Sequence, residues 1–194
     1  PRLLNFFLTL LAAITLAFGS QAPNEVKAQT YAYTFTVTSS ADQIDYVQNG
    51  VCNTIITTGG PCTLRAAIME ANNLVSTGNV LIKLPPGTYP ITIIDDPYNS
   101  EQIKHGDLDI TGTNPTYSIT IMGESGASTP VIDGAGSFDR AFEVANGSTL
   151  NLVNLNIQNF GVLVGYLNFD GGGAIYNKGN LNLQNIRFIS NLVE

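Results

Sequence analysis

The C-terminal third of the chain repeats itself at one offset, and this limits the possible folds more than any other feature. Val144-x-Asn146, followed by Leu150-Asn151-Leu152-Val153-Asn154-Leu155-Asn156-Ile157, returns as Ile175-x-Asn177, followed by Leu181-Asn182-Leu183-Gln184-Asn185-Ile186-Arg187-Phe188. The offset is 31 in each part (175 − 144, 181 − 150, 188 − 157). A fixed period of this size marks a solenoid, whose units stack to bury a core that none could bury alone. Ile119 and Ile121 stand 31 residues before Leu150 and Leu152, so a weaker third copy begins there.

Side-chain parity says which kind of solenoid. Leu150 and Leu152 share a strand face, because side chains alternate with period two. The next apolar residues, Leu155 and Ile157, have the opposite parity. The chain must therefore turn a corner at Asn154, and again at Asn185 between Leu183 and Ile186. Asn suits such a corner because it accepts left-handed backbone angles and bonds locally. Its amide can also bond from one coil to the next. Strand, bend and strand, each with an apolar inner face, describe a coil of a parallel β-helix.

The rest of the chain reads mainly as strands. Residues 31–38 alternate strictly, with Tyr31, Tyr33, Phe35 and Val37 on one face. Val80–Leu84 is a strand ended by Pro85-Pro86-Gly87, and Tyr89 with Ile91-Thr92-Ile93-Ile94 is the next. Leu108 with Ile110, Ile119–Met122, Val131–Asp133 and Phe142–Val144 follow. One helix is predicted over 63–73, where Leu64, Ala67, Ile68 and Ala71 form an apolar stripe. Thr63 is its N-cap, and Asn72-Asn73 its stop. A helix this short needs an apolar surface to lie on, and the open first rung of a solenoid offers one.

Arg2, the apolar run Leu3–Phe18 and the Val26-Lys27-Ala28 exit describe a secretory signal peptide over 1–28. The run is shorter than the roughly 20 residues that a spanning helix needs, and no second apolar stretch could cross a bilayer. The start at Pro1 implies that a few residues precede it, and the chain ends within a repeat at Glu194. A net charge of −7, with charged residues at 12%, argues against a nucleic-acid partner. In a secreted context Cys52 and Cys62 read as a local disulfide across Gly59-Gly60-Pro61.

Cys62-Thr63-Leu64-Arg65-Ala66-Ala67-Ile68-Met69-Glu70-Ala71-Asn72 resembles the CSLREA domain of secreted bacterial proteins. Thr36-Val37-Thr38-Ser39-Ser40-Ala41-Asp42, Leu84-Pro85-Pro86-Gly87-Thr88-Tyr89 and Gly106-Asp107-Leu108-Asp109-Ile110 match its flanks, over about residues 34–112. The family's capping box is half lost, because Ala66 stands where Glu is usual. Gly172-Gly173-Ala174-Ile175 with Phe188-Ile189-Ser190-Asn191 resembles a repeat of polymorphic outer membrane proteins. Together the resemblances imply a right-handed parallel β-helix at a bacterial surface. Residues 29–112 would then be a capping region with the first coils, and 113–194 repeat coils. The implied role is structural or adhesive, with glycans or neighbouring cells as partners. The alternative is the start of a carbohydrate-active lyase or hydrolase whose site lies beyond residue 194.

No catalytic, cofactor or metal set is expected. Asp107 and Asp109, with His105 upstream, could bind Ca²⁺ or act as acid and base. More simply, Leu108 and Ile110 point inward and both Asp side chains meet solvent. Asp42, Asp45, Asp95 and Asp96 read as solvated loop carboxylates, and Arg65 as half of a structural ion pair. Tyr166, Phe169 and Asp170 protrude from the repeat and either grip a glycan or fold back as cover. An enzyme would align charged residues on one sheet across adjacent coils, and the sequence shows no such column.

Overall fold

In a computed structural model the described residues are 29–56, 59–93, 106–135, 139–162 and 172–193. The predicted signal peptide, Asp95, Asp96, His105, Tyr166, Phe169 and Asp170 lie outside them. The chain runs β1 (Tyr33–Thr36), α1 (Leu64–Leu74), β2 (Val80–Leu84), β3 (Thr88–Pro90), β4 (Leu108–Ile110), β5 (Ile119–Gly123) and β6 (Val131–Asp133). It continues through β7 (Phe142–Val144), β8 (Thr149–Gln158), β9 (Gly161–Val162), β10 (Ile175–Asn177), β11 (Asn180–Ile189) and β12 (Leu192–Val193). Every pairing among these strands is parallel. Among the described residues the fold is thus mostly parallel β with one short helix.

The strands stack in rows. β1, β2, β5 and the first half of β8 follow one another, with Ile119 opposite Leu150 and Ile121 opposite Leu152. The second half of β8 continues a different row, β3 then β6, with Ile132 opposite Ile157. β11 lies on both halves of β8, with Leu181 opposite Leu150, Ile186 opposite Leu155 and Phe188 opposite Ile157. β4, β7 and β10 form a third row. The offset of 31 is therefore the physical register of β5, β8 and β11 (150 − 119, 181 − 150).

β8 serves two rows because it bends where the parity changes. Asn154 and Asn185 have φ of 57° and 54°. The Asn154 side-chain amide donates to the Gly123 carbonyl at the end of the neighbouring β5, at 3.1 Å. Gly123 is needed there, since a Cβ would collide with the Asn154 carbonyl oxygen. Asn159 and Ser190, again 31 apart, also have left-handed φ of 59° and 52°, at the ends of β8 and β11. This second corner was not predicted. Ser is an unusual choice for it, although the inward parity changes here too, from Leu155 and Ile157 to Phe160 and Val162.

Three expectations need correction. In the third row Ile175 pairs with Phe142 and Asn177 with Val144, an offset of 33 rather than 31 (175 − 142, 177 − 144). The strand at Tyr89 is only Thr88–Pro90; Ile91–Ile93 belong to no strand, and Ile94 is outside the described residues. The Ile91 N–H still donates to the Asp133 carbonyl, but the Thr92 and Ile93 N–H groups turn to the Asp42 carboxylate instead of a ladder. The helix also passes Asn73 and ends at Leu74, with a right-handed Val75 cap, because Asn72 is occupied elsewhere.

Between the rows lies one apolar core, in which Val80, Ile82, Ile119, Ile121, Leu150, Leu152, Leu155 and Ile157 are all fully buried. Each such side chain contributes roughly 1.5–3 kcal/mol relative to exposure. Leu64, Ala67, Ile68 and Ala71 of α1 join this core, and α1 packs on β1, β2 and β4. The Thr63 hydroxyl caps the helix by accepting from the Ala66 N–H and donates to the Gln43 carbonyl. Cys52 and Cys62 are disulfide-bonded, which constrains the unfolded chain by about 2–3 kcal/mol. Among the described residues no helix is long and apolar enough to cross a membrane.

Candidate functional site

The outer side of α1 is buried from Leu64 to Ala71. Arg65, on the side away from the apolar stripe, is 1% exposed. Its Nε and Nη2 bond both carboxylate oxygens of Asp42, at 2.7 and 3.1 Å. Its Nη2 and Nη1 also donate to the carbonyls of Gly106 and Asp107, at 2.8 and 3.2 Å. Asp42 accepts from the Thr92 and Ile93 N–H groups as well. The ion pair expected at Arg65 exists, and its partner is a carboxylate read from sequence as solvated. Asp45 is buried too, accepting from the Val47 and Asn53 N–H groups, and Glu70 accepts from Asn49 and Gly50. A loop without regular structure must satisfy its buried amides somehow, and these acids do so.

Asn72 performs the same service for β4. Its Nδ2 donates to the Asp109 carbonyl, and its Oδ1 accepts from the Thr111 and Gly112 N–H groups. Arg65 and Asn72, one helical face apart from the core stripe, thus fix both ends of β4 against α1.

That clamp positions an acidic centre. Leu108 and Ile110 point inward and are buried, so Asp107 and Asp109 lie on the opposite face, as parity requires. Asp109 pairs in register with Glu143 of β7, and Glu143 with Tyr176 of β10. A column therefore crosses three adjacent strands, contrary to the expectation that none exists. Nor does Asp109 meet solvent as expected, for it is 6% exposed, whereas Asp107 and Glu143 are partly exposed. One oxygen from each of Asp107, Asp109 and Glu143 lies within 4.8 Å of the others. Arg140 Nε is 3.6 Å from Asp107 and its Nη1 3.8 Å from Glu143. Lys178 Nζ sits 2.9 Å from Glu143, and both cations stand over the Tyr176 ring, at 4.9 Å for Arg140 and 4.5 Å for Lys178.

The electrostatics follow from this crowding. Burial first, and then the charges of Asp109, Asp139 and Glu143, push Asp107 up to about 8 despite Arg140. Burial and then Glu143 push Asp109 up to about 7, against the pull of Arg65 and Arg140. Carboxyls raised this far can hold and release a proton near neutrality, or accept a cation in its place. The three acids supply only oxygen ligands, the donor type that suits hard cations.

A second polar surface runs along the first row. The amides and hydroxyls of Gln29, Ser118, Asn151 and Asn182 form a ladder, with Asn182 Nδ2 bonding Asn151 Oδ1 at 2.8 Å. Asn151 Nδ2 also bonds the Thr120 hydroxyl. Beside it is a groove of about 460 Å³ flanked by Tyr31 and Met122.

Of the residues singled out in the sequence, Thr63, Leu64, Arg65, Ala67, Ile68 and Ala71 do gather on one helix, and Asn154 and Asn185 align as corners. Glu143, Arg140, Tyr176 and Lys178 were missed. A spacing signal existed for the first pair, since Glu143 follows Arg140 by three residues, but such pairs are common on any surface. In comparisons with known proteins, no family model, curated protein or solved structure matches the chain.

Proposed function

We propose that this chain forms the capping region and first coils of a secreted, right-handed parallel β-helix. Its role is that of a structural or adhesive module displayed at a bacterial cell surface, akin to CSLREA-domain and polymorphic outer membrane proteins. The observation that carries this reading is the parallel register at offset 31 through β5, β8 and β11. Left-handed corners recur at Asn154 and Asn185 within it. Such coils display long ladders of side chains, and the Gln29–Asn182 ladder with its groove offers glycans amides, hydroxyls and an aromatic ring. Growth of the stack is favoured at β11. Leu183 and Phe188 are each 47% exposed, whereas their partners Leu152 and Ile157 are fully buried. A further coil would cover them.

Antibodies raised against residues 29–194 test the display. The reading expects labelling of intact cells, and capture of the purified chain by immobilised glycans. Labelling only after permeabilisation would overturn it.

The column of Asp109, Glu143 and Tyr176 favours a second reading, the start of a carbohydrate-active enzyme. Raised carboxyls beside Arg140 and Lys178 are the groups that such chemistry uses. Incubation with acidic polysaccharides separates the two. Release of new chain ends, abolished by Asp109→Asn and Glu143→Gln, would select the enzyme and reject the purely adhesive module.

A further inference from the structure

We infer that Asp107, Asp109 and Glu143 form a calcium site that ties β4 to β7. This inference goes beyond the display reading and does not depend on it. Three observations carry it. The first is geometric. Ca²⁺ holds oxygens at roughly 2.3–2.6 Å, so ligands on opposite sides of the ion stand up to about 5 Å apart. The three carboxylates offer one oxygen each within 4.8 Å of one another, which an ion of that size can bridge. Mg²⁺, with ligands at about 2.0–2.1 Å in a stricter octahedron, would require the same oxygens to draw closer.

The second observation is a buried oxygen without a hydrogen-bond partner. Asp109 Oδ2 has none, although the residue is only 6% exposed. Its main-chain carbonyl accepts from Asn72 Nδ2. Native proteins rarely bury a carboxylate oxygen unmatched, and metal coordination is one of the few arrangements that compensates it. The oxygen belongs to the face where Glu143 lies directly across the ladder and Asp107 two residues away.

The third observation is charge. With their protons released, as a bound cation requires, Asp107, Asp109, Asp139 and Glu143 bring four negative charges, and Arg140 and Lys178 two positive ones. Arg65 does not close the gap, because both of its Asp42 contacts are short and Asp42 is itself fully buried. The excess of two negative charges equals that of one divalent cation. Arg140 Nε lies 3.6 Å from Asp107 and its Nη1 3.8 Å from Glu143.

The test uses the whole purified chain, freed of metal with a chelator and dialysed. Calcium titration followed by calorimetry should show saturable binding of one ion per chain, and Ca²⁺ should raise the thermal midpoint. Mg²⁺ should bind at least about tenfold more weakly. Asp109→Asn and Glu143→Gln should each weaken calcium binding at least about tenfold and remove the thermal shift. Asp133→Asn, on a carboxylate remote from the column, should bind like the parent. Folding of each variant is checked by circular dichroism. If Asp109→Asn misfolds, Glu143→Gln, whose side chain is 30% exposed, decides alone.

A metal-free comparison separates the site from a purely structural ion pair. As a metal ligand, Asp109 destabilises the metal-free protein, so Asp109→Asn should melt at the same temperature as the parent or higher without calcium. As a structural anion for Arg140, its loss should lower the midpoint without calcium. That lowering would overturn the inference, as would absence of saturable binding by the folded parent or binding unaffected by either substitution.

Discussion

Replacing Arg65 with Met tests whether α1 is held to the strands by charge as well as by its apolar stripe. Met keeps most of the buried volume and removes every donor. Asp42, whose side chain is fully buried, would keep its bonds from Thr92 and Ile93 but lose its counter-charge. The carbonyls of Gly106 and Asp107 would lose their side-chain donors at the same time. Removing one partner of a buried ion pair costs about 3–5 kcal/mol, chiefly because the other charge stays buried and uncompensated. For a chain of this size each kcal/mol lowers the melting midpoint by roughly 2–4 °C, so a fall of roughly 6–20 °C is expected. Urea unfolding followed by far-ultraviolet circular dichroism measures the same quantity, and the slope should not change. The informative comparison is the double variant Asp42→Asn with Arg65→Met. Once neither charge remains, the penalty of the orphaned carboxylate disappears, and the double variant should be more stable than the sum of the single losses by about 1–3 kcal/mol. A cost below about 1 kcal/mol for Arg65→Met, or strict additivity in the double variant, would refute the reasoning.

Three further expectations follow from the geometry. Leu152→Ala should cost about 2–5 kcal/mol in chemical denaturation, whereas Leu183→Ala, at the half-exposed position paired with it on β11, should cost under about 1 kcal/mol; equal costs would contradict the strand order. Asn154→Ala should be less stable than Asn154→Gly by about 1–2 kcal/mol, because both lose the bond to Gly123 but only Ala is strained at φ 57°; the reverse order would refute a left-handed corner. Glu70 has its pKa raised above 4.5 by burial, which outweighs the bonds from Asn49 and Gly50 that act in the opposite sense, with Asp45 adding to the rise. Its protonated form is thus favoured on folding, so its contribution is full below the unfolded pKa and is lost as pH rises through the folded one. The stability difference between the parent and Glu70→Gln should therefore fall from acid toward neutral pH; a difference that grows with pH would show the opposite shift.

The sequence makes some of this structure legible and hides the rest for physical reasons. The inward rows were readable because burial leaves a periodic apolar mark, and the corners at Asn154 and Asn185 because a bend reverses that period. The helix was readable from Leu64, Ala67, Ile68 and Ala71. Its polar side was not, because Arg65, Glu70 and Asn72 look like a solvated face until their partners are known, and those partners lie 20 to 42 residues away. Asp42 and Asp45 misled in the same way. A carboxylate that collects loop amides has the same local sequence as one that meets water.

The acidic column was hidden by a turn length. β7 joins β8 through Ala145-Asn146-Gly147-Ser148, while β10 joins β11 through Lys178-Gly179 alone. The second connection is two residues shorter, so a repeat of 31 in β8 and β11 requires 33 in the row before them. A shift of two preserves parity, and the inner face does not register it: Ile175 exchanges Val144 for Phe142, one buried apolar neighbour for another. The outer face changes completely. At an offset of 31 Glu143 would lie across from Ala174 and Tyr176 from Ala145. At 33 Glu143 meets Tyr176, and the short turn carries Lys178 back to within 2.9 Å of it. Restoring two residues to the Lys178-Gly179 turn should leave β8 and β11 in place and move Lys178 away from Glu143. A chain that repeats one strand register for its core can thus vary its outer chemistry through the lengths of its turns alone.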